Sequence, residues 1–115
     1  MLINQSTGKT LATHITRCDT FWRKFKGLMF HRKLDIDQAY VFVYDRESVA
    51  ETTIHMFFVF FPIAVLWLDA QQRIVDTVIA KPFRPYYAPR RGAQYFVECA
   101  PELLTNVHIG DTLKF

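Results

Sequence analysis

The stretch TTIHMFFVFFPIAVLWL, residues 52–68, places seventeen positions without a formal charge between Glu51 and Asp69. So much apolar surface must either enter a membrane or lie against protein. A helix crossing a hydrocarbon layer about 30 Å thick needs about 20 mainly apolar residues. The strictly apolar part, Met56 to Leu68, has thirteen, with Pro62 in its middle. Wound as a helix it would span only about 20 Å. Its Phe, Val, Ile and Trp side chains suit a pleated surface, and proline cannot donate to a sheet ladder. The stretch therefore reads as two buried segments, roughly 53–60 and 63–69, meeting at Pro62 in a protein core.

Around it, the apolar pattern changes period once. Leu11 to Arg17 alternates loosely, as a half-exposed strand does. Phe21, Phe25, Leu28 and Met29 follow helical spacing, with Arg23, Lys24 and Lys26 largely off that face. Asp19 is the expected N-cap and Gly27 the expected end. Ala39–Tyr44 reads as a strand followed by a solvated loop, Asp45–Ser48. Residues 63–69 and 73–80 read as a hairpin across Asp69-Ala70-Gln71-Gln72. Pro82, Pro85 and Pro89 make KPFRPYYAPRRG an ordered surface loop. Ala93–Cys99 is a strand with Tyr95, Val97 and Cys99 on one face and Gln94, Phe96 and Glu98 on the other. Pro101–Asn106 suggests one helical turn, and Thr112–Phe115 a last strand. The expected class is mainly β with one or two short helices, a compact antiparallel β-barrel or β-sandwich. At 115 residues, with 50% hydrophobic composition, a single domain over 1–115 is expected.

MLINQSTGKTLATH contains no apolar run of signal-peptide length, so a cytoplasmic location is the expectation. Cys18 and Cys99 then read as free thiols, with a bridge between them the minority reading. Net charge is +3, but six of the fourteen basic residues fall between Arg17 and Lys33. Four more, Lys81, Arg84, Arg90 and Arg91, lie in a segment without an acid. Such a distribution steers anionic partners, and it also describes ordinary solvated surface.

In order, the chain carries Gly27-Leu28-Met29-Phe30 after a basic helix and Pro62-Ile63 before Leu66-Trp67-Leu68-Asp69. Arg73-Ile74-Val75, Tyr95-Phe96-Val97-Glu98 and Gly110-Asp111 follow. This ordered set, over roughly residues 15–115, resembles the uncharacterised family called domain of unknown function 192 (DUF192). Where that family commonly has Trp-Met-Lys-Asn-Thr, this chain has His55-Met56-Phe57-Phe58-Val59, so the polar Lys-Asn-Thr groups are replaced. The resemblance implies a compact β-barrel-like or sandwich fold and carries no activity.

Local signatures of chemistry are sparse. His14, His31, His55 and His108 lack metal-ligand spacing, and adjacent strand residues such as His55 and Met56 point to opposite faces. There is no nucleophile elbow and no glycine-rich phosphate loop. No catalytic residue, metal or cofactor is therefore assigned. Asp69 starts a turn, where its own backbone hydrogen bonding explains it. The loop RPYYAPRR interleaves bases with tyrosines, a composition for stacking and phosphate contacts. A Pro-stiffened loop whose tyrosines cover the core explains the same residues. The leading expectation is a non-enzymatic binding module for an anionic small molecule, glycan or protein. Its site would be Lys81, Arg84, Tyr86, Tyr87, Arg90 and Arg91, assisted by Arg23 and Lys24. The alternatives are a nucleic-acid-binding accessory protein, and an enzyme using Asp69, Glu98 and a histidine. No membrane partner is expected.

Overall fold

Eight strands form two sheets in a computed structural model that describes residues 1–115 apart from the side chain of Phe21. The strands are β1 (Leu2–Asn4), β2 (Lys9–Ala12), β3 (His14–Cys18), β4 (Gln38–Ser48), β5 (Ile63–Leu68), β6 (Ile74–Ala80), β7 (Ala93–Cys99) and β8 (Leu113–Lys114). One α-helix, α1 (Phe21–Lys26), follows β3, and a 3-10 helix, Pro101–Asn106, follows β7. The small sheet has the order β2-β1-β8 and the large one β3-β4-β7-β5-β6. Strand pairs are antiparallel except β3–β4, which run parallel. The fold is thus mainly β with two short helices, an open two-sheet arrangement and, among the described residues, no closed barrel.

The large sheet is covered on both faces. On one, Val41, Leu66, Val97 and Cys99 pack with Leu2, Leu11 and Leu113 of the small sheet and Leu103 of the 3-10 helix. On the other, Phe42, Val65, Trp67 and Phe96 meet Leu28, Ile54, Met56 and Val59 from the connecting segments. β5 is buried at all six positions because both of its faces are roofed. A continuous apolar run in place of alternation is what that location requires. Cys18 belongs to one core and Cys99 to the other, and both are free thiols.

The hairpin β5–β6, strand β7, its face assignment and the terminal strand match expectation. Four local expectations need correction. Residues 53–60 are not a buried strand: Ile54 makes an isolated bridge with Tyr87, and Phe57, Phe58 and Phe60 are exposed. The segment crosses over the sheet face, packing Ile54, Met56 and Val59 onto it instead of pairing with an edge strand. Thr20, not Asp19, caps α1, its side chain accepting from the Arg23 N–H, whereas the helix ends where expected, at Lys26 with Gly27 as its C-cap. Of the face expected to be apolar, Leu28 is buried, Phe25 is exposed and the Phe21 side chain lies outside the described residues. Asp45–Ser48 continues β4 as an exposed extension, with a register shift between Val43 and Ser48. The 11–17 segment divides into β2 and β3, one for each sheet. No helix among the described residues is long and apolar enough to cross a membrane.

Candidate functional site

Strand alternation builds a chamber on the large sheet. β4 sends Tyr40, Phe42 and Tyr44 to one face, and β7 sends Phe96 and Glu98 to the same face. The register sets Phe42 opposite Phe96 and Tyr40 opposite Glu98. The Phe42 and Phe96 rings stack at 4.3 Å between centroids, 9° from parallel, with Tyr44 6.0 Å beyond Phe96. The end of α1 descends onto this aromatic floor at Gly27, where φ is +45°. A Cβ there would lie 3.3 Å from Phe42 Cζ and 3.5 Å from Glu98 Oε1. A side chain at 27 would push against the floor; glycine lets the helix end close on it.

The remaining wall is Glu51, Thr53, Ile54, His55 and Val59, which with the floor and the α1 end border a partly open cavity of about 300 Å³. Three fixings hold this irregular segment in place. Ile54 exchanges two backbone hydrogen bonds of 2.9 Å with Tyr87, the Met56 N–H donates to the Arg84 carbonyl at 3.0 Å, and Trp67 Nε1 donates to the Thr52 carbonyl at 2.7 Å. Such a volume suits a small ligand.

Glu98 sets the electrostatics. It is only 6% exposed, it lines the cavity, and no hydrogen bond or ion pair to its carboxyl is found among the described residues. Burial pushes its pKa up to about 8, because water no longer stabilises the charge. At neutral pH it is mostly the carboxylic acid. Its neighbours follow. Burial first, and the Glu98 charge second, raise the Cys18 thiol to about 11, against the pull of Arg23. Burial, then Glu51 and Glu98, raise Tyr44 to about 12. Tyr40 is raised chiefly by burial. Across the chamber, Lys24 Nζ sits 3.9 Å above the centre of the Tyr44 ring, a cation–π contact. The arrangement can hold a small apolar body with one polar atom directed at Glu98.

Of the residues expected to bind, only Lys24 lines this chamber. Arg23 approaches Asp19 at 3.9 Å. In the loop, Tyr87 is structural: besides its bridge to Ile54, its Oη accepts from the Lys81 N–H at 2.8 Å. Arg90 is tied to Asp76, through its N–H at 3.0 Å and Nε at 3.8 Å. Lys81, Arg84, Tyr86 and Arg91 are exposed. Glu98 and His55 share the chamber, whereas Asp69 does not reach it. Asp69 accepts from the N–H groups of Gln71 and Arg73, both at 2.9 Å, and from Arg73 Nε at 3.0 Å, closing the hairpin turn. Among the described residues no group of three or more His, Cys, Asp or Glu side chains could hold a metal ion. Phe42, Tyr44, Phe96 and Gly27 carry the site without having been singled out for it. The available signal was the alternation Tyr40, Phe42, Tyr44 in one strand and Phe96, Glu98 in another.

A family profile for uncharacterised proteins ("Uncharacterized ACR", DUF192) matches residues 2–115. A UPF0127 protein of Thermococcus kodakarensis is 37% identical over 117 residues, covering 100% of this chain and 73% of that protein. A UPF0127 protein of Pyrococcus furiosus is 29% identical over 116 residues, covering 99% and 97%. Among solved structures, a candidate transcription regulator from Sinorhizobium meliloti superposes with a TM-score of 0.85 at 21% identity, covering 98% of this chain and 88% of that one. A protein of unknown function from Novosphingobium aromaticivorans superposes with a TM-score of 0.81 at 16% identity, covering 98% and 91%. At these identities the structural likeness speaks to the fold.

Proposed function

The chain belongs to the DUF192 family, and from that premise, with no activity in the family's description, we propose that it is a binding module for a small, largely apolar molecule carrying a hydrogen-bond donor. A protonated amine is the favoured head group. The observation that carries this reading is the Glu98 carboxyl, buried in the wall of a 300 Å³ aromatic chamber without a protein partner. Among the described residues no group bonds the Glu98 carboxyl, and its oxygens open onto the cavity rather than lying sealed in protein, so a donor on a ligand can take the place that buried polar groups ordinarily fill. When a protonated amine enters, Glu98 releases its proton to solvent and pairs with it as the carboxylate, and a pKa of about 8 makes that release a small cost at pH 7. An anionic head leaves Glu98 neutral and gains only one hydrogen bond from the acid. An anion is better placed near Lys24 or the exposed bases of 81–91, the site expected from the sequence. Phenethylamine, phenylethanol and phenylpropanoate, titrated calorimetrically at pH 7, separate these cases. The amine should bind best and the carboxylate worst, and Glu98→Gln should erase the preference. Equal binding of all three, or a preference that survives Glu98→Gln, would refute the proposal.

The second reading, nucleic-acid binding, draws on the exposed bases and on the S. meliloti candidate transcription regulator of like fold. It requires affinity for a single-stranded oligonucleotide that falls steeply with salt. A flat salt profile removes it.

A further inference from the structure

Three phenylalanines occupy a backbone conformation that their side chains disfavour. Phe30, Phe58 and Phe83 have φ of 65°, 58° and 62°, in the left-handed region where a Cβ meets the following carbonyl. The other such non-glycine residue, Gln72, lies in the β5–β6 turn, where the conformation is ordinary. The three phenylalanines come from three separate turns and meet one another. Phe30 stacks on Phe58 at 4.9 Å, and Phe58 meets Phe83 edge-on at 6.4 Å. Backbone bonds fix the convergence: the Phe30 N–H donates to the Phe58 carbonyl at 2.8 Å, and the Phe83 N–H to the Met56 carbonyl at 2.9 Å. Yet the rings are not buried, with exposures of 63%, 46% and 49%. Unfavourable backbone is retained here to hold aromatic rings out toward solvent, and strain of this kind clusters where a surface has work to do.

The residues next to these turns in sequence are basic. Residues 20–34, 53–68 and 77–97 supply the three phenylalanines, exposed Trp22 and exposed Phe60. These stretches contain no Asp or Glu, and nine of the fourteen basic residues lie in the first and third; three of the nine, Arg23, Lys33 and Arg90, pair with Asp19, Asp35 and Asp76 just outside them. Arg32, Lys81 and Arg84, one or two positions from Phe30 or Phe83, make no ion pair among the described residues. We infer that the turns bearing Phe30, Phe58 and Phe83 form a docking surface for an anionic lipid bilayer, inserting aromatic tips while the adjacent bases meet the head groups. Apolar rings with cationic flanks suit the boundary between acyl chains and head groups. The thirteen apolar residues of 56–68 are too few to span a bilayer as a helix, but turn tips need only reach its edge.

Two other occupants fit less well. A platform for nucleobases needs open ring faces, and the Phe30–Phe58 stack uses one face of each ring, while Phe83 meets Phe58 edge-on. A second copy placed by a two-fold axis would set this basic surface against itself. The inference goes beyond the ligand reading and stands without it.

The test is co-sedimentation with phosphatidylcholine vesicles, with and without about one-third phosphatidylserine. The protein should partition onto the anionic vesicles and much less onto the neutral ones. Replacing Phe30, Phe58 and Phe83 by Asn, which tolerates this backbone, should lower the partition coefficient at least about tenfold. Lys81→Glu with Arg84→Glu should do likewise, since each base near an anionic surface is worth about fivefold. This charge variant leaves the aromatic turns intact and carries the test if the asparagine variant fails to fold. No partition onto anionic vesicles, or partition unchanged in both variants, overturns the inference. So does retention of a single-stranded oligonucleotide instead of vesicles, which would make the face a nucleic-acid surface. A concentration-dependent dimer abolished by the asparagines, without vesicle binding, would assign it to a second copy.

Discussion

Glu98 should make this protein lose stability as the solution turns from acid to mildly basic. The side chain has an ordinary pKa of 4.5 and one of about 8 in the folded chain. Between those values the folded state keeps a proton that the unfolded chain has released. Stability is therefore full below about pH 4.5, declines as pH rises, and levels off above about pH 8. At about 1.4 kcal/mol per pH unit, the interval corresponds to a loss on the order of 5 kcal/mol. That is a large share of the roughly 5–15 kcal/mol that holds a domain folded. Glu98→Gln preserves the shape and cannot ionise, so its Glu98-linked slope should vanish. The two proteins should differ little at pH 5, and the variant should be the more stable at pH 8 by several kcal/mol. Urea denaturation at half-unit steps, followed by tryptophan fluorescence, measures both curves. Tyr44, Cys18 and Cys99 are raised to about 12, 11 and 12 and release their protons above this window. Parallel pH profiles for the two proteins would show that the Glu98 carboxyl is solvated or paired in solution, and the argument from burial would fail.

Gly27→Ala places a methyl 3.3 Å from the Phe42 ring at a positive φ; a loss of about 1–3 kcal/mol is expected in denaturation, together with weaker amine binding. Trp67→Phe removes the 2.7 Å bond to the Thr52 carbonyl and should cost about 1–3 kcal/mol by the same measurement. Phe58→Gly relieves about 1–2 kcal/mol of backbone strain while making the unfolded chain freer, so stability should stay within about 1 kcal/mol. Phe96→Ala, in the stacked floor, should by contrast cost about 3–5 kcal/mol. Cys18 and Cys99, buried with raised pKa values, should resist iodoacetamide at pH 7.5 until the chain is unfolded.

The hairpin β5–β6 was legible because its two apolar runs flank a short polar turn, and loop 81–91 because three prolines forbid regular pairing. Residues 53–60 misled because their apolar side chains can be buried without strand pairing: Ile54, Met56 and Val59 reach the face of the large sheet from an irregular crossing segment. The helix start slipped by one residue because Asp19 and Thr20 are both good caps, and local geometry gave the role to Thr20. Glu98 was visible as a carboxylate on one face of a strand. Its company was not, since Phe42 and Gly27 reach it only through strand register and the descent of α1. The left-handed phenylalanines leave no mark in the sequence at all, because nothing local to Phe favours that conformation.

The small sheet has a consequence for the order in which the molecule assembles. β1 is its middle strand, bonded to β2 only a few residues away and to β8, more than a hundred residues along. The second pairing closes a loop containing almost every other contact in the fold, and closure of such a loop is entropically unfavourable. During synthesis β1 can pair with β2 early, but its other edge must wait for β8 until residues 113–114 have left the ribosome. The five-stranded sheet closes slightly earlier, once β7 at residues 93–99 is available to pair with β4 and β5. The long wait leaves Leu2, Leu11 and the sheet face they cover exposed to water, and folding dominated by so distant a contact is intrinsically slow.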